Sequence, residues 1–144
     1  MRHRHPLHPA LVHFPVACWS LATVGDFAGY VWGEPAWRLA GVLMVTGTVI
    51  AVAAIAAGFI EYMKLDENSP ALPDVHRHML LAATAWSCYA ASLFLRVDSG
   101  SLSVPDGIAV GLSAAGFVSL CCAGWMGAKL VYGHGIGVAK TPSS

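Results

Sequence analysis

A chain of 144 residues and 15.1 kDa has room for one domain and little more. Apolar residues make up 56% and charged residues 11%, whereas a soluble domain is about a quarter charged, so a water-soluble enzyme and a disordered chain are both set aside. Eight Lys/Arg balance eight Asp/Glu, which leaves no basic field to hold a nucleic acid, and the remaining class is a small integral membrane protein.

The first candidate span covers residues 9–32. Its bulk is apolar (Phe14, Val16, Ala17, Cys18, Trp19, Leu21, Ala22, Val24), but His13, Pro15 and Asp26 interrupt it. These interruptions, and the absence of a small-x-small site after it, argue against a cleaved signal peptide. Val16-Ala17-Cys18 resembles a lipobox only faintly, because Pro15 stands where an aliphatic residue is expected. Gly33-Glu34-Pro35 then breaks the chain before a second span over 36–63, which contains the charge-free run Leu39 to Ile60. Lys64 to Val75 is polar and carries Pro70 and Pro73. The third span, 76–96, contains the charge-free run Met79 to Leu95. Val97 to Asp106, rich in Ser and Gly and holding Pro105, reads as a loop. The fourth span, 106–133, contains the run Ile108 to Ala128. Each run has about the length that a helix needs to cross the hydrocarbon core. Short connections make neighbouring helices antiparallel, so the expected fold is an all-α, up-down four-helix membrane bundle in a single transmembrane domain, 1–144. No repeat of 20–50 residues is visible.

This topology puts the N-terminus, the second loop and the C-terminus on one side. That side carries Arg2, Arg4, Lys64, Arg77, Lys129 and Lys140, and the other carries only Arg38 and Arg96. The asymmetry places both termini in the cytoplasm. Trp32 and Trp37 would line the far interface, and Tyr62 and Tyr132 the near one. Cys18, Cys88, Cys121 and Cys122 fall inside helices without CxxC spacing and read as small apolar residues.

Seven histidines, His3, His5, His8, His13, His76, His78 and His134, all fall at the near membrane face, where Glu61 also ends the second helix. Ionisable groups at membrane depth mark functional sites, and imidazole is a ligand for haem iron, zinc, copper and non-haem iron. The five-residue spacing of His8 and His13 rotates them about 140° apart on a regular helix. A kink at Pro15 is the expected device for bringing both to one cavity. His76 and His78 cannot both face inward, and His78 is the deeper. His3 and His5 read as a solvated basic tail. The expected axial pair is His13 with His78 on diagonally opposed helices. His8 and His134 are then second ligands or partners to the propionates. The alternative is a non-haem Zn, Cu or Fe site drawn from His8, His13, His78, His134 and Glu61, and the third reading is a cofactor-free structural or assembly subunit. Small residues near these histidines, including Ala54/Gly58 and Ala123/Gly127, either let backbones approach or leave room for a macrocycle. Far from them, Asp26 needs a buried partner, either Arg96 or Arg38. Gly133-x-Gly135-x-Gly137 follows a helix instead of preceding one, so it is no phosphate cradle.

The opening His8-Pro9-Ala10-Leu11-Val12-His13-Phe14-Pro15 and the ending Gly124 to Val138, with its Leu130-Val131-Tyr132-Gly133-His134-Gly135 core, join Asp26, Gly58, Glu61, His78 and Arg96 in a pattern that resembles the DUF2231 family of predicted bacterial four-helix membrane proteins. The resemblance spans nearly the whole chain, with Glu61 where the family often has Asp. Its histidines map onto His8, His13, His78 and His134. It implies a multi-pass protein of the bacterial inner membrane. Similar domains adjoin Rieske or c-type cytochrome domains, which implies membrane redox chemistry as part of an oxidoreductase system. The expected function is therefore a b-type haem protein passing electrons, with quinone, a redox protein or a second copy of the chain as candidate partners.

Overall fold

The computed structural model describes residues 7–137. Within them the chain forms four long helices, α1 (Leu7–Trp32), α2 (Glu34–Tyr62), α3 (Leu72–Leu95) and α4 (Gly107–His134). Their 24 to 29 residues correspond to about 36–44 Å at 1.5 Å per residue, more than the ~30 Å hydrocarbon core. All four are long and apolar enough to cross a membrane. The expected membrane bundle is therefore observed. His3, His5, Arg2, Arg4 and Lys140 lie outside the described residues.

The helix ends follow from local chemistry. Gly33 alone separates α1 from α2, and its φ of 72° is a conformation only glycine adopts without strain. Pro35 sits in the first turn of α2, where its missing N–H costs nothing. The same rule explains why α3 starts four residues before the expected boundary: Pro73 opens that helix instead of ending the loop. Asp106 caps α4 by accepting the Ala109 N–H at 2.7 Å. Gly135, at φ 65°, closes α4, with its own N–H on Val131 and that of Ile136 on the Leu130 carbonyl. The loop expected between α3 and α4 holds a small hairpin, β1 (Val97–Asp98) and β2 (Ser101–Leu102), turned by Ser99 and Gly100, both at positive φ.

The helices pack as two close hairpins, α1 with α2 and α3 with α4, joined more sparingly by α1 to α4 and α2 to α3. The diagonal α1 and α3 meet across the centre. Mid-bundle, Trp19 stacks on Tyr89 with ring centroids 4.8 Å apart and planes 7° apart. Tyr89 donates to the Trp19 carbonyl at 3.2 Å, Thr23 shares hydroxyl bonds with Tyr89 and Ser113, and Trp19 Nε1 donates to Thr48. At the end away from the histidines, Arg96 grips Asp26 with two bonds of 2.5 and 2.7 Å. Without water in a bilayer each such group must find a protein partner, and among the described residues no buried side-chain N or O lacks one. The outer surface is apolar, with Phe94, Trp125 and Tyr132 at least 79% exposed, as lipid contact requires.

Candidate functional site

His8 is in the first turn of α1 and His78 in the second of α3. Their rings meet across the bundle in a T-shaped arrangement, centroids 6.4 Å apart and planes at 87°. Each is anchored to the other helix of its own hairpin. His8 Nδ1 lies 2.7 Å from the Ala54 carbonyl, and His78 Nδ1 lies 2.9 Å from the Ala123 carbonyl. A carbonyl only accepts, so both Nδ1 atoms carry the proton and donate. The two rings therefore share one tautomer in their neutral form, with Nε2 as the nitrogen without a proton. A ligating histidine is commonly held this way, its second nitrogen donating to a carbonyl.

Glycine makes the anchoring possible. A helical carbonyl at position i already accepts from the N–H at i+4, and a side chain there shields it. Gly58 and Gly127 occupy the i+4 positions of Ala54 and Ala123. A Cβ on Gly58 would stand 2.8 Å from His8 Nδ1, and one on Gly127 would stand 3.5 Å from the His78 ring. The small residues therefore admit imidazoles. Of the others, Ala53, Ala56, Ala83, Gly124 and Ala128 are exposed on the outer surface. These two carbonyls and two glycines are the site residues that histidine counting misses. Their signal is an Ala-x-x-x-Gly step in each helix that follows a histidine-bearing one.

The other expected residues lie elsewhere. His13 is exposed on α1, which runs unbroken through Pro15. The expected kink does not bring His8 and His13 together, and their 140° separation leaves one inside and one outside. Glu61 reaches the His8 backbone N–H at 3.4 Å and so meets the N-terminal dipole of α1, not a ring. His134 Nε2 bonds Asp74 at 2.9 Å, in a cluster where Lys129 also meets Asp74 at 2.8 Å. His76 bonds Tyr62 at the exposed rim. Among the described residues no group of three or more His, Cys, Asp or Glu side chains could hold a metal ion, and Cys18, Cys88, Cys121 and Cys122 are free.

Two clefts of about 240 and 250 Å³ lie away from the pair, one beside Glu34, Trp37 and Leu102, the other beside Tyr62, Glu67 and Leu72. The family described as a predicted membrane protein (DUF2231) matches residues 4–140. No curated protein and no solved structure matches the chain.

Proposed function

Because the chain belongs to the DUF2231 family of predicted membrane proteins, we propose for it a function that the family description leaves open: a b-type haem protein that passes electrons, with His8 and His78 as the axial ligands. The observation that supports this is the pair of imidazoles with centroids 6.4 Å apart, each with Nδ1 on a carbonyl, which leaves Nε2 as the nitrogen of each ring that can ligate. Two imidazoles that held one metal through Nε2, with metal–nitrogen bonds of about 2 Å, would stand about 6 Å apart, and the 6.4 Å between these centroids is compatible with that.

Haem iron, if held there by His8 and His78, would supply one-electron chemistry. The chain's own residues hold and aim the ligands: the Ala54 and Ala123 carbonyls fix the tautomers, and Gly58 and Gly127 let the rings reach them. The ligand pair differs from the sequence expectation, with His8 in the place of His13. The charge asymmetry supports a histidine end on the cytoplasmic side of a bacterial inner membrane, and quinone or a redox protein is the electron partner that this reading proposes.

A second reading is two-coordinate copper(I) on the same two nitrogens. It needs two nitrogen ligands and no macrocycle, and the two rings that would supply them stand with centroids 6.4 Å apart. Zinc suits the pair less well, since it takes three or four protein ligands.

The test is the visible spectrum of detergent-purified protein from cells supplied with a haem precursor, before and after dithionite. A Soret band with sharp reduced α and β bands is the expected result. A featureless spectrum removes haem. Elemental analysis of the same sample then separates copper from a cofactor-free structural subunit.

A further inference from the structure

Three contacts between the first and third helical segments share one arithmetic property. His8 meets His78, Trp19 meets Tyr89 and Asp26 meets Arg96, and every pair is 70 residues apart. The pattern continues into the other two helices at a 69-residue interval. Ala54 holds His8 as Ala123 holds His78, and Gly58 faces His8 as Gly127 faces His78. Gly47 lies against Trp19 and the Cys18 Cβ, and Gly116 lies against Tyr89 and the Cys88 Cβ. Cys18 and Cys88 are themselves 70 apart. Such a period lies beyond the 20–50 residues of ordinary repeats.

We infer that the bundle is two copies of one helical hairpin in tandem, α1–α2 and α3–α4, and that His8 and His78, on the two-fold axis between the copies, form one site that takes a metal centre through two equivalent nitrogens, one from each copy. The metal in this statement rests on the function proposed above; the duplication does not. Both hairpins start and finish at the histidine end, so the axis runs along the membrane normal, as in parallel repeats of membrane transporters.

The three layers on the axis divide by their chemistry. Asp26 and Arg96 occupy equivalent positions with opposite charges, so the copies satisfy each other, with Ser92 supporting the guanidinium. Trp19 and Tyr89 are likewise unequal, and the Tyr89 hydroxyl bonds the Trp19 carbonyl. Only the histidine layer keeps the same residue in the same tautomer on both sides. Nδ1 is taken by a carbonyl in each copy, so the same nitrogen, Nε2, remains for a ligand on both sides, and a ligand with two equivalent positions suits such a pair. The second copy differs most at the far end, where the β1–β2 hairpin replaces the last turns of α1 and the first of α2 while nearly keeping the chain length.

Two measurements on the full chain test this. In nitrogen-15 spectra of histidine-labelled protein, titrated separately with haemin and with copper(I), His8 and His78 should both be Nδ1-protonated. Both Nε2 resonances should shift or vanish together by one equivalent of one of these probes. Unlike tautomers, or one ring responding without the other, overturn the shared site; in the latter case metal binding itself survives. If neither probe moves either ring, metal binding fails and the shared metal site with it. The duplication is decided separately by exchanging the charged layer between copies, A22S and D26R together with S92A and R96D. The exchanged protein should keep its yield and a melting temperature within a few degrees of the parent, while D26R or R96D alone loses most of the folded protein. An exchanged protein as poorly folded as the single variants overturns the equivalence of the copies.

Discussion

Arg96 closes on Asp26 through both carboxylate oxygens, at the end of the bundle away from the histidines, with side chains 1% and 0% exposed. Ser92 supports the guanidinium with two further bonds, at 3.0 and 3.3 Å, and donates its own hydroxyl to the Ala109 carbonyl. The pair thus ties α1 and α3 together and reaches α4 through one serine. Arg38, the other cation the sequence offers, pairs with Glu34 on the surface instead.

Breaking such a pair on one side leaves a charge with no water to receive it. D26N should destabilise the protein by about 3–5 kcal/mol. R38A removes only an exposed pair and should stay within about 0.5 kcal/mol of the parent. Thermal unfolding in detergent checks both, and equal losses from the two variants would refute the burial argument.

The histidines divide in the same way by position. H8A and H78A should each abolish the six-coordinate spectrum, because each removes half of the ligand pair. H13A should leave haem content within about twofold of the parent, because His13 points out of the bundle. Haem lost in H13A and kept in H8A would restore the pair expected from sequence. The comparison is read from absorbance per unit protein.

Gly58 and Gly127 do the same task with different clearance. A Cβ on Gly58 would fall 2.8 Å from His8 Nδ1 and push the ring off the Ala54 carbonyl, whereas on Gly127 it would make ordinary contact at 3.5 Å. G58A should therefore impair ligand binding by at least tenfold, with G127A changing it less than threefold. Titration of the purified variants measures the difference, and a larger loss in G127A would contradict the geometry.

Much of this was readable in the chain. Three charge-free runs and one interrupted apolar stretch announce the four helices, and Asp26 announces a buried partner because a lone carboxylate in lipid is untenable. Diagonal placement of α1 and α3 followed from short loops. The inner histidine did not follow. Helical spacing said that His8 and His13 face apart, but not which one faces inward. Pro15 suggested a kink, and the continuous α1 shows that tertiary packing can hold a helix straight through a proline. Pro73 suits a loop and the first turn of a helix equally, and sequence alone does not separate the two. The 70-residue period went unseen because its carriers are single small or aromatic residues scattered along apolar helices. Only contacts reveal that Trp19 and Tyr89, or Asp26 and Arg96, hold equivalent places.

The Trp19–Tyr89 layer separates the histidine pair from the charged pair, and it allows packing to be weighed against hydrogen bonding. Y89F removes a hydroxyl that donates to the Trp19 carbonyl and meets Thr23 at 2.8 Å. Thr23 keeps its bond to Ser113 at 2.9 Å, so no hydroxyl is stranded, and the ring stack is untouched. The cost should be about 1 kcal/mol, in line with interhelical hydrogen bonds in membranes. Y89A instead opens a void between α1 and α3 at a residue with no exposed surface, and should cost about 3–5 kcal/mol. Unfolding of the two variants in the same detergent gives the ratio. If Y89F costs as much as Y89A, the hydroxyl network holds the two hairpins together and the stack merely fills space; the geometry of the layer, with Gly47 and Gly116 pressed against the two rings, argues for the opposite order.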